Sequence, residues 1–196
     1  MGIEQLFGES PTFETNRLLL RKFSMMDAED YYQIASDPIV TSQTTWERHT
    51  SKEDSIKYIQ KVLDKYKRHE GFHWGIVYKS SGQLIGRTGL IRIDPIHNKA
   101  ELGYVLSKDY WNQGIITEAT SQIVKYGFSE LGLNRIEAQC NVNNPGSYRV
   151  MEKLGLVMEG VLRKQLKIKG EYLDQRMYSI LRSDFESEFE EQERLI

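Results

Sequence analysis

The chain predicts an α+β domain with a mixed, mostly antiparallel sheet, and three observations lead there. Its 196 residues carry 39% hydrophobic side chains, enough for one compact core. No Pro/Gly/Ser-rich linker divides them, so residues 1–196 read as a single domain. Apolar residues recur at helical spacing in separated segments, while short apolar runs bounded by turn signals fill most of the remainder.

Taken in order, Asn16 to Arg21 reads as a short apolar strand and Asp27 to Ala35 as the first helix. Thr50-Ser51-Lys52-Glu53 has the form of a capping box, and Ile56, Ile59, Val62, Leu63 and Tyr66 follow at helical spacing up to Gly71. Phe72 to Lys79 and Gln83 to Ile93, separated around Gly82, predict a hairpin, with Asn98 to Leu106 as the next strand. Ile116, Ala119, Ile123, Val124 and Phe128 form one apolar helical stripe. Arg135 to Val142 is a strand, and two further strands lie near Gly160 to Lys169 and Tyr172 to Leu181. The acidic end, Glu186 to Ile196, is expected to fray.

Charge and cysteine usage narrow the partners. Lys and Arg number 26 against 28 Asp and Glu, so a net charge of -2 gives no general attraction to nucleic acid or acidic membranes. Arg163, Lys164, Lys167 and Lys169 make a local basic patch, which a solvated strand edge explains better. The single Cys140 excludes an internal disulfide, and the first residues lack a secretion-signal pattern, which makes the cytoplasm the expected location. No apolar run is long enough to span a bilayer, and Leu6 stands where a myristoylation signal needs Ser or Thr.

His69-Glu70-Gly71-Phe72-His73 matches the H-E-x-x-H zinc-protease pattern letter for letter. That chemistry needs one continuous helix through both histidines. Gly71 stands where the preceding helix should stop, and Phe72-His73-Trp74-Gly75-Ile76 alternates like a strand, so no metal site is expected.

The most informative segment is Tyr110-Trp111-Asn112-Gln113-Gly114-Ile115-Ile116-Thr117-Glu118-Ala119. A glycine turn running straight into a helix presents unpaired backbone N–H groups and a partial positive charge, and so suits a phosphate. A second segment, Asn144 to Leu156, is a short helix with both ends written out. Asn144 suits the N-cap, Pro145 the first turn, Gly155 the left-handed stop, and Leu156 can fold back on the helix.

Together the W-x-x-G-x-x-T-E-A turn and the N-x-x-S-x-R-V-x-E-K-L-G helix resemble the GNAT superfamily of acyl-CoA-dependent N-acetyltransferases. Thr15-Asn16-Arg17-Leu18-Leu19-Leu20-Arg21, Asp27-Ala28 and Asp37-Pro38-Ile39-Val40 resemble its RimJ/RimL-like branch, which contains ribosomal-protein N-terminal acetyltransferases. The likeness spans about residues 12 to 183. It implies a GNAT-type fold: a central sheet of about seven strands, flanked by helices, with one splayed parallel pair.

The resemblance also implies a site. Acetyl-CoA is the cosubstrate, its pyrophosphate on the backbone of Asn112, Gln113, Gly114, Ile115, Ile116 and Thr117, and its pantetheine arm along Leu102 to Leu106, with Tyr104, Val105 and Leu106 in contact. Asn144 completes the cofactor set. A backbone donor around Gly103 to Val105, aided by a strand distortion, is expected to stabilise the developing oxyanion. Ile116 stands where the family usually has glycine or alanine, and Met151 where many members have a tyrosine. The carboxylate that some RimL-type relatives carry after the Glu159-Gly160 turn corresponds here to Leu166.

Ser147 is the candidate donor to the leaving thiolate, or simply a polar residue of a first helical turn. Glu101 interrupts the apolar run Ala100-Glu101-Leu102-Gly103-Tyr104 and is the candidate base, directly or through water; its other role is an ion pair with a neighbouring strand. A site so lightly equipped favours an α-amine. With a pKa near ~7.8 it costs little over ~1 kcal/mol to deprotonate at neutral pH, against over ~4 kcal/mol for a lysine near ~10.4. The expected acceptor is therefore a protein N-terminus, of ribosomal type by resemblance, for a monomer or homodimer. A small amine (polyamine, amino sugar or amino acid) and a non-catalytic acyl-CoA sensor are the alternatives.

Overall fold

Alternating burial along the strands builds an eight-stranded sheet in the computed structural model, which describes residues 3–8 and 11–187. The strands are β1 (Phe13–Glu14), β2 (Leu18–Lys22), β3 (Phe72–Tyr78), β4 (Gln83–Asp94), β5 (Lys99–Leu106), β6 (Arg135–Asn141), β7 (Val157–Ile168) and β8 (Glu171–Leu181). Their order is β1-β2-β3-β4-β5-β6-β8-β7. The eighth strand beyond the expected seven is β1, a two-residue segment too short to show any alternation in sequence. The helices are α1 (Ile3–Gly8), α2 (Ala28–Ala35), α3 (Pro38–Ser42), α4 (Lys52–Arg68), α5 (Ile115–Ser129) and α6 (Pro145–Lys153). Residues 182–187 are helical as well; of the tail expected to fray, residues 188–196 lie outside the described residues. No described helix is long and apolar enough to cross a membrane.

Every strand pair is antiparallel except β5–β6, which pairs only at Lys99↔Arg135, Ala100↔Ile136 and Glu101↔Glu137. Past Glu101 the two strands share no register, so Leu102 to Leu106 borders an opening instead of a neighbour. The period of two then divides the residues around that opening between two faces. Ala100, Leu102 and Tyr104, with Ile136, Ala138 and Cys140, face α5 and α6; Thr88 on this face bonds Thr120 of α5 at 3.0 Å. Glu101, Gly103 and Val105, with Glu137 and Gln139, lie on the opposite face, where α2 packs against β4 and α4 against β3.

Several elements depart in detail from what the sequence predicts. The cap of α4 is Ser51 with Asp54, whose carboxylate accepts from the Thr50 and Ser51 N–H groups at 2.9 and 3.1 Å, so the box sits one residue later than Thr50/Glu53. In α5 the fully buried first residue is Ile115, and Ile116 is only partly buried, because the helix starts directly after Gly114. The distortion expected around Gly103 to Val105 of β5 is instead a bulge at Ile91 of β4, between the pairs Leu90↔Leu102 and Arg92↔Glu101. The zinc-pattern histidines separate: α4 ends at Arg68, His69 is its left-handed cap at φ 57° stacked on Phe7, and His73 is buried in β3.

His73 gives the fold a pH dependence. Burial, with Arg87 and Lys65 nearby, pushes its imidazole well below the ordinary 6.5, and burial lowers His49 in the same direction. Both hold a proton less readily when folded than in the unfolded chain, which takes up their protons near pH 6.5, so stability is complete above that pH and falls as pH drops through it. The loss from His73 is at most about 1.4 kcal/mol per pH unit. Urea denaturation at pH 7.5 and 5.5 should show a smaller difference for His73→Gln than for wild type; equal differences would remove His73 from this account.

Candidate active site

The site starts at the glycine turn. Asn112 and Gly114 both take left-handed backbone, φ 59° and 73°, and Gly114 caps the N-terminus of α5. As a result the N–H groups of Asn112 to Thr117 donate to no protein acceptor among the described residues. Six free donors at a helix start form a concave anion receptor. These residues therefore fit a pyrophosphate. Ile116 does not obstruct it, since the contribution it makes there is a backbone N–H while its side chain packs toward the core.

The turn is braced by residues quoted above only as a branch signature. Arg17 donates from Nε and Nη2 to the Glu118 carboxylate at 2.8 and 2.5 Å and from Nη1 to the Gln113 carbonyl at 3.1 Å. Thr15 Oγ1 donates to the same carboxylate at 2.5 Å. Burial raises the Glu118 carboxyl, but Thr15 and Arg17 outweigh it and hold it below its ordinary range. The β1–β2 connection thus fixes the first turn of α5, which sequence spacing could not reveal across about a hundred residues.

Along β5, the edge of Leu102 to Leu106 that leaves β6 is free for an amide-bearing arm, consistent with the way edge strands capture extended chains. At its end the Leu106 carbonyl accepts from Trp111 Nε1 at 2.9 Å, which ties the strand to the phosphate turn.

Across the opening, the Asn144 side chain accepts from the Ser147 N–H at 3.1 Å and caps α6, so its contribution is to hold Ser147 in place. The Ser147 hydroxyl lies 3.0 Å from the Tyr104 hydroxyl, which also reaches the Ser147 carbonyl at 2.9 Å. Tyr104, expected from the resemblance to contact the cofactor, has its hydroxyl on Ser147. Met151, in the position of the missing family tyrosine, is buried in the core, and Tyr148 turns its ring to Arg176 at 4.6 Å. A phenol thus occurs beside Ser147 from a different element, with burial raising its pKa so that it stays protonated. Burial likewise raises the thiol of Cys140, which neighbours Ser147 and Tyr104.

Glu101 is on the other face. Its Oε2 pairs with Arg92 at 2.9 Å and its Oε1 accepts from Gln139 Nε2 at 3.2 Å, leaving the side chain 12% exposed. Each oxygen retains a further lone pair. So the strand partner foreseen for Glu101 exists, and it fixes the carboxylate beside the mouth of the β5–β6 opening. Leu166 lies on β7 opposite Leu173. Trp74 is core, its Nε1 donating to the Pro11 carbonyl at 2.8 Å.

The comparisons with known proteins agree with this geometry. The profile of the acetyltransferase (GNAT) domain matches residues 17–157. N-acetyltransferase YoaA of Bacillus subtilis (strain 168) is 37% identical over 172 residues, covering 88% of this chain and 97% of its own. The ribosomal-protein-serine acetyltransferase of Escherichia coli (strain K12) is 30% identical over 129 residues, covering 66% of this chain and 71% of its own. Among solved structures, the microcin C7 self-immunity acetyltransferase MccE in complex with acetyl-CoA and AMP superposes with a TM-score of 0.78 at 26% identity, covering 85% of this chain and 93% of that one. A glycine turn opening a helix, a strand pair that splays beside it and a family match across most of the chain converge on one answer: this protein belongs to the GNAT family and is an acetyl-CoA-dependent N-acetyltransferase.

Proposed function

We propose that this enzyme acetylates the α-amine of a polypeptide N-terminus, with ribosomal proteins as the acceptor class suggested by the Escherichia coli relative. The observation that carries the reading is the acceptor face itself. It holds the carboxylate of Glu101, fixed by Arg92 and Gln139, and is bordered by the cations Arg87 and Arg92. A polyamine brings several positive charges to that border and is disfavoured there. An α-amine needs little help to lose its proton.

Bound acetyl-CoA supplies the activated acetyl group as a thioester. The roles of the chain's own residues follow from their positions. Backbone N–H groups of Asn112 to Thr117 hold the diphosphate, and the free edge of β5 aligns the pantetheine arm, with its N–H groups near Gly103 to Val105 available to the carbonyl oxygen. Glu101 takes the ammonium proton, directly or through a water. Ser147 donates a hydrogen bond to the leaving sulfur, steadied by Asn144 through its N–H and by Tyr104 through its hydroxyl.

The test is a pH profile with a saturating α-amino peptide. Glu101→Gln should reduce turnover about 100-fold at pH 6.5 and come within about threefold of wild type at pH 9, where the amine has already lost its proton. A uniform reduction at every pH would leave Glu101 as the partner of Arg92 and nothing more.

A further inference from the structure

Arg87 stands in β4 directly opposite Val105 of β5, on the face that carries Glu101. Its surroundings differ from those of the ion-paired arginines of the sheet. Arg21 has Asp27 at 2.6 Å, Arg92 has Glu101 at 2.9 Å, and Arg135 has Glu159 at 2.6 Å. Arg87 has no carboxylate within ion-pair distance among the described residues. Its Nη1 meets the neutral Nδ1 of His73 at 3.2 Å, its Nε is enclosed without an acceptor, and its guanidinium carbon lies 5.8 Å from the Tyr58 ring. The enclosed Tyr31 hydroxyl borders the same guanidinium. A guanidinium has five donors, and here one meets His73 while the Nε–H has no acceptor.

Leaving a largely buried cation uncompensated is costly, and an anion is what relieves it. The wall beside Arg87 is aromatic. Tyr31 stacks on Tyr58 at 4.6 Å, and His49 and Trp46 continue the row, ring to ring at 5.4 Å, toward the segment between α3 and α4. The charged end of this row is Arg87, one strand away from the β5 segment Gly103 to Val105.

We infer that Arg87 is a specificity residue that binds a carboxylate carried by the amine acceptor, close to its reacting nitrogen. The inference rests on the acceptor-face reading given above and sharpens it. The carboxylate has two sources: the α-carboxylate of a free amino acid, or the side chain of an Asp or Glu at the start of a peptide. Either forms a charge-assisted, bidentate contact with a guanidinium, a geometry lysine cannot copy.

The experiment pairs acceptors that differ only in charge: C-terminally amidated peptides beginning Asp-Ala and Asn-Ala, and free aspartate against aspartate α-amide. Wild type should prefer the acidic member of at least one pair by about 30-fold in kcat/KM, the peptide or the amino-acid pair telling which source is used. Arg87→Gln should abolish that preference, so that the acidic and neutral members of the pair turn over with equal kcat/KM. Arg87→Lys should restore it only in part. A thermal shift by acetyl-CoA confirms that each variant is folded.

Calorimetry gives a readout that needs no turnover. N-acetylaspartate added with coenzyme A should bind wild type about 30-fold more tightly than N-acetylasparagine α-amide, which lacks both carboxylates, and Arg87→Gln should bind both equally. Turnover of neutral and acidic acceptors alike by wild type overturns the carboxylate subsite and leaves acetyl transfer intact. If no acceptor is acetylated, the proposed acceptor class fails, and equal binding of the two acetylated products then overturns the subsite as well.

Discussion

Gly114→Val should all but remove acetyl-CoA binding while the protein still folds. At φ 73° an L side chain is strained whatever the space around it, and a β-branched one more so; the turn will shift toward right-handed backbone to relieve it. The surroundings do not resist a side chain, since the nearest atom to an added Cβ is Arg17 Nη2 at 3.9 Å, so the damage is to the turn and not to the core. What the shift undoes is the alignment of the Asn112 to Thr117 donors. Losing two charge-assisted bonds at roughly 1.5 to 3 kcal/mol each corresponds to at least about a 100-fold weaker Kd. Calorimetry should show that loss, and the melting temperature that acetyl-CoA raises in wild type should no longer move. Wild-type affinity in a folded Gly114→Val protein would place the phosphate site elsewhere.

Ser147→Ala should lower kcat about 30- to 100-fold with little change in acetyl-CoA affinity, because a bond to the leaving sulfur strengthens only as charge develops there. The backbone change is small: the cap from Asn144 uses the residue's N–H, which alanine retains. Tyr104→Phe should act through the same hydroxyl and lower kcat about 10-fold. Combined, the two substitutions should cost no more than Ser147→Ala alone, since the Tyr104 bond has no effect once its partner is gone. Single-turnover rates for the three variants measure this, and strictly multiplicative losses would falsify the pairing.

The parts legible in sequence were those specified by neighbours in the chain. The order of strands and helices, the caps of α6, the stop before His69 and the glycine turn all depend on residues a few positions apart, so local backbone chemistry determines them. The proposed cofactor segment 112–117 and the proposed role of Ser147 rest on the same kind of local pattern. Small offsets arose where two local solutions differ by one residue, as with Asp54 against Glu53 in the α4 cap and Ile115 against Ile116 in the α5 core stripe.

What only the tertiary structure decided were contacts between distant segments and the pairing of buried charge. Arg17 and Glu118 meet because the β1–β2 connection lies against the first turn of α5, Tyr104 reaches Ser147 because β5 and β6 part after three pairs, and Glu101 finds Arg92 because Ile91 shifts the β4 register by one. The sequence also shows arginines at 21, 87, 92 and 135 as equals. Folding gives three of them a carboxylate and leaves Arg87 with His73 and aromatic rings. The physical reason is that periodicity determines which face a side chain takes, whereas its partner is chosen by register and packing, which only the closed sheet sets.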